Sequence, residues 1–80
     1  MMNRHPVIID QLGPLLPPGG RRPETRLQED LRIPPLGNLG LAQSCNEAWG
    51  ITLSQRDADS WRTLADVAAS IADSLQMVAA

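Results

Sequence analysis

The sequence predicts an all-α fold, a small bundle of three longer helices and one short helix. Apolar residues recur at three- and four-residue steps in the stretches 7–16, 36–49 and 64–78. Ser/Thr-x-x-acid patterns, Ser54 to Asp57 and Thr63 to Asp66, mark two helix starts. No segment alternates with the period of two that a half-buried strand shows, and there is no internal repeat. Residues 1–80 read as a single domain. A chain of this size buries only about 60–65% of its unfolded surface, so its stability depends on good packing.

Residues 1–5 read as frayed. Pro6 suits the first turn of a helix, where its missing N–H costs nothing. Val7, Ile8, Leu12, Leu15 and Leu16 form the first apolar stripe. Pro14 interrupts it, because an interior proline removes one backbone bond and clashes with the preceding turn. Two outcomes stay open: a helix ending near Leu12, or a kinked one reaching Leu16. Residues 17–23 (PPGGRRP) are loop by composition. Leu27 and Leu31, four apart, suit one helical turn or a loop pinned to the core at both points.

Pro34 and Pro35 bias the residues before them away from helical angles, and Pro35 suits the first turn of the next helix. Leu36 to Trp49 reads as helix, with Leu36, Leu39, Ala42, Cys45 and Trp49 as its apolar stripe. It tolerates Gly37 and Gly40, each costing up to about 1 kcal/mol relative to Ala. Gly50 closes it as a left-handed cap. Ser54 caps a short helix over Gln55–Trp61. Leu64, Val67, Ala68, Ile71, Leu75 and Val78 make the clearest amphipathic helix in the chain.

Composition excludes several classes of function. Seven Arg and no Lys against nine acids give a net charge of −2, with no basic footprint for nucleic acid. No apolar run approaches a membrane span, and the start of the chain lacks the long apolar region of a signal peptide. The single cysteine, Cys45, allows no intrachain disulfide and no cysteine metal cluster. A cytoplasmic, monomeric protein is the expectation.

Several short patterns share one register. They are Pro23-Glu24-Thr25-x-Leu27-x-Glu29-Asp30-Leu31, Leu36-x-x-Leu39-x-Leu41, Trp49-Gly50-Ile51-x-Leu53, Asp57, and Thr63-Leu64-Ala65-Asp66-Val67-x-x-x-Ile71. Together they resemble the acyl carrier proteins, whose pattern reads T-x-L-x-E-D-L-G-x-D-S-L, then F-G-I-x-I/L, then T-[LV]-x-D-[VL]-x-x-x-I. The likeness runs from Glu29 to Ile71 without a gap, and the first helix agrees more loosely. It implies a four-helix bundle whose Asp-Ser-Leu opens the second helix. The serine hydroxyl of that family carries 4'-phosphopantetheine.

Here those three positions are Pro34, Pro35 and Leu36. Proline has no hydroxyl, so the phosphopantetheine arm is expected not to attach and no cofactor is expected. Arg32 replaces the family's glycine. The acidic row that basic partner enzymes read on the family's second helix becomes Gly37, Asn38, Gly40, Gln43 and Asn46, with Glu47 the one acid left. Such complementarity sets encounter rate and partner choice, so partners other than the usual basic-patched enzymes are implied.

Other candidates read as structural. Asp73-Ser74-Leu75 repeats the carrier triplet at the wrong end of a helix, where a phosphate is disfavoured. Asp59-Ser60-Trp61 precedes no long helix, and Ser44 lies inside one. Cys45 reads as a small core residue, with no histidine in its helix to activate it. The only histidine, His5, forms neither a metal site nor a catalytic set by itself. Glu29-Asp30 and Asp57/Asp59 read as helix-start and surface charges, and Arg21-Arg22 as solvated. Trp49 reads as core. Trp61 reads as semi-exposed, with core placed ahead of interface.

The function expected is a non-enzymatic, acyl-carrier-protein-like module that binds a protein partner, a synthase or ligase component, or acts as a regulatory partner, in fatty acid or polyketide-type metabolism. Pro34, Pro35, Leu36, Leu39 and Trp61 are its docking residues. The alternatives are a non-covalent acyl-chain or lipid binder, with room beside Ala42 and Cys45, and a true carrier modified elsewhere.

Overall fold

A computed structural model describes residues 5–17 and 19–79. For His5, Pro6, Pro35 and residues 77–79 it describes the backbone alone. The elements are α1 (His5–Leu12), a 3-10 turn (Gly13–Leu15), α2 (Pro35–Trp49), α3 (Gln55–Asp59) and α4 (Leu64–Ala79). There is no strand among the described residues, only an isolated antiparallel bridge between Arg26 and Thr63. Among the described residues the fold is all-α, with three longer helices and one short one.

Pro14 decides the end of α1. It has no N–H to continue the ladder, so the chain tightens into the 3-10 turn, closed by Leu16 N donating to Gly13 O at 3.1 Å. α1 begins at His5. Residues 1–4 lie outside the described residues, as does Pro18 within the 17–23 loop.

The second segment behaves as a pinned loop. Leu27 and Leu31 are 1% and 2% exposed, while Asp30 N and Leu31 N both donate to Arg26 O. The loop is stitched to the start of α4: Leu27 N donates to Arg62 O at 2.8 Å, and Leu64 N to Thr25 O at 2.9 Å. The second bond supplies an acceptor for an N–H that a helix start leaves without a partner.

Pro34 is extended (φ −69°, ψ 162°), as a residue before proline must be. α2 then runs to Gly50, whose φ of 65° is a left-handed cap that favours glycine. α3 opens on the complete Ser54–Asp57 capping box. It stops at Asp59, two residues short of the expected Trp61. The reason lies in the last turn: Ser60 Oγ donates to Asp57 O at 2.7 Å, and Ser60 N shares that carbonyl at 3.2 Å. The box at α4 also forms, with Asp66 Oδ2 accepting from Thr63 N at 3.0 Å.

α1 packs on α4 and α2 on α3. Ile9, Leu12, Leu27, Leu64, Val67 and Ile71 are among the most deeply buried side chains. Burying a side chain of this kind fully contributes about 1.5–3 kcal/mol. The buried side of α2 differs from the expected stripe. Asn38, Leu41, Ala42 and Cys45 face the core, whereas Leu36 and Leu39 are exposed. α2 carries leucines on both sides, so its apolar spacing admits more than one orientation.

Candidate functional site

The start of α2 is the surface that the sequence singles out. Pro34 is exposed. Leu36 is 91% exposed and Leu39 42%. The backbone of Pro35 occupies the first helical position, and its side chain lies outside the described residues. No side chain caps this helix start, and its first turn holds no acid. Gly40, Gln43 and Glu47 are exposed.

Two expectations are corrected here. Asn38 is not a surface residue but is 6% exposed. Its Nδ2 donates to Ala58 O at 3.1 Å and to Trp61 O at 3.4 Å, tying α2 to the end of α3. Trp61 is not semi-exposed and does not belong to an exposed docking face: it is 4% exposed. Its indole N–H donates to Ser70 Oγ on α4 at 2.9 Å, which turns the ring inward, so core wins over interface. Trp49 is half-buried against the core.

Asn38 and Trp61 line a cleft of about 680 Å³ between the 26–29 loop, the first half of α2 and the 59–63 connection. Leu27 and Ile33 add apolar wall, and Arg26, Glu29, Asp59 and Arg62 stand around it. Sequence reasoning missed this site. Asn38 resembles a solvated residue in a weakly amphipathic helix, and Trp61 lies outside any helix, where periodicity says nothing. Ala42 and Cys45, beside which the alternative of an acyl-chain binder needs room, sit in the core and do not line the cleft.

The remaining candidates keep structural roles. Cys45 is fully buried, and burial pushes its thiol up to about 11, so it is protonated at neutral pH and a poor nucleophile. Asp30 accepts from Arg26 N at 2.8 Å and from the Arg26 guanidinium. The backbone bond first, then the guanidinium bond, hold its carboxyl below the ordinary value. Arg26 also pairs with Glu29 at 3.7 Å. Asp57 is engaged in its capping box. Ser74 lies in the second half of α4 and Ser44 inside α2. Arg21 and Arg22 are exposed.

Among the described residues no group of three or more His, Cys, Asp or Glu side chains could hold a metal ion, and no helix is long and apolar enough to cross a membrane. The chain matches no family model, no curated protein and no solved structure.

Proposed function

We propose that this chain is a carrier-protein-like module that does not carry, and that it engages a synthase or ligase component of acyl metabolism through the exposed start of α2. The observation that most supports this reading is Pro35 at the first position of a 15-residue helix. The acyl carrier resemblance puts the modified serine at that point. A ring imino acid offers no hydroxyl to a phosphodiester, so the module can dock without being loaded. No catalytic step is assigned to it.

Further observations agree with a carrier-like scaffold. Arg32 adopts φ 59°, a glycine-type conformation, where the family has glycine. Both helix-start boxes form. Leu36 and Leu39 present adjacent apolar side chains beside Pro34. A partner that covered them would gain by removing that surface from water. With Glu47 the only acid on α2, that partner would need an apolar contact face more than a basic one.

Intact-mass measurement after co-expression with a broad-specificity phosphopantetheinyl transferase tests the reading. The wild-type chain is expected to stay unmodified. The double variant Pro34→Asp/Pro35→Ser, which restores Asp-Ser-Leu, is expected to gain one phosphopantetheine. A gain by the wild type removes the non-carrying reading, and a folded double variant that stays unmodified removes the carrier-like one. Titration against a ketosynthase and an acyl ligase, with Leu36→Asp for comparison, tests the docking face.

A further inference from the structure

We propose that the cleft lined by Asn38 and Trp61 binds a neutral molecule that joins an apolar group to an N–H or O–H donor, the donor going to Asn38 Oδ1. This site does not depend on the carrier-like reading of the chain.

Asn38 Oδ1 is buried and has no hydrogen-bond partner among the described residues. The amide cannot be turned over to relieve it, because both groups facing Nδ2, Ala58 O and Trp61 O, are acceptors. A buried acceptor left alone costs about 1–3 kcal/mol. Asn38 lines an open cleft; its oxygen has no exposed surface as it stands, so a donor reaches it only as the surrounding wall parts.

The surroundings narrow the class of ligand. Leu27, Ile33 and Trp61 offer apolar contact. The Trp61 indole N–H is already engaged by Ser70, so it cannot supply the missing donor. The four charged side chains around the cleft, Arg26 and Arg62 against Glu29 and Asp59, cancel formally, and Arg26 is tied to Glu29 and Asp30. The cleft therefore does not select a strong anion or cation. Carboxylates and phosphates are acceptors when ionised and cannot answer a lone carbonyl oxygen. A primary or secondary amide, or an alcohol, can. The volume of about 680 Å³ lies within the range of small-molecule sites.

The donor can come from a free small molecule or from an amide of a polypeptide, and the test separates the two. ¹⁵N–¹H spectra of the full chain follow the Asn38 side-chain NH₂ and the Trp61 indole N–H during titration with hexanamide, methyl hexanoate and hexanoate. Hexanamide is expected to shift both resonances saturably. The ester and the carboxylate, which lack the donor, are expected to bind about tenfold or more weakly. Asn38→Leu is expected to abolish the preference for the amide. If that variant does not fold, the comparison of probes on the wild type decides.

A blocked tripeptide, acetyl-Ala-Leu-Ala-amide, forms the other arm. Binding tighter than that of hexanamide names a polypeptide as the source, and equal or weaker binding names a free small molecule. Equal binding of amide and ester overturns the proposal. So does the absence of any shift at Asn38 and Trp61 with both amide probes up to their solubility, which leaves the oxygen to water.

Discussion

The side-chain amide of Asn46 pairs with the main chain of Leu53 at both ends. Oδ1 accepts from Leu53 N at 2.7 Å, and Nδ2 donates to Leu53 O at 3.4 Å. The pair imitates one rung of a sheet and holds the 51–53 link against the last turn of α2, with Ile51 and Leu53 buried. Asn46→Ala leaves the Leu53 N–H without its partner and is expected to lower stability by about 1–3 kcal/mol. Asn46→Asp keeps the acceptor and is expected to cost less. Urea unfolding followed by circular dichroism measures both, and an Ala variant as stable as the wild type would show the pairing to be incidental.

Arg32 is the one non-glycine residue with positive φ among the described residues, at 59°. A Cβ in that region meets the following carbonyl, a strain of roughly 1–2 kcal/mol. Glycine removes the strain but adds freedom to the unfolded chain, about 0.5–1 kcal/mol against it. Arg32→Gly is therefore expected to raise stability modestly, and Arg32→Val to lower it, because a β-branched residue tolerates that conformation worst. Thermal melts rank the three chains, and Val above Arg would contradict the geometry.

The exposed side of α2 and the core at the end of α1 predict different responses to substitution. Leu36 is 91% exposed and Leu12 fully buried. Leu36→Asp is expected to change stability by no more than about 0.5 kcal/mol. Leu12→Ala is expected to cost about 2–5 kcal/mol through lost burial and the cavity left behind. Denaturant midpoints distinguish them, and comparable losses would mean that Leu36 is covered in solution.

Cys45 links stability to alkaline pH. Burial raises its folded value to about 11, above that of the unfolded thiol. The protonated form is thus favoured by folding, so the contribution is full below the unfolded value and is lost as pH rises through the folded one. Stability is expected to fall between about pH 8.5 and 11, and to fall less in Cys45→Ala. At neutral pH, reaction with a thiol reagent is expected to follow unfolding. Fast labelling of the native chain would show that the side chain is accessible.

Features written within a few residues were legible in the sequence: the Ser54–Asp57 and Thr63–Asp66 boxes, Gly50 as a cap, and the break at Pro14. Each is a local exchange between a side chain and nearby backbone. The same holds for Leu27 and Leu31, whose spacing required only that both points reach the core. The orientation of α2 was not legible, because Leu36 and Leu39 compete with Leu41 for the inward side and the outcome rests on what α3 offers. Asn38 was hidden for that reason: its partners, Ala58 O and Trp61 O, lie in another element. Trp61 was hidden because α3 ends before it. The cleft, which rests on those two residues, was therefore not legible.

The bridge between Arg26 and Thr63 joins segments far apart in the chain, and Thr25 O supplies the acceptor for Leu64 N at the head of α4. During synthesis the upstream loop must wait for Arg62 and Leu64 to emerge before this junction can close. Contacts of such long sequence separation slow the search for the native state. This junction therefore closes only once the head of α4 has been made.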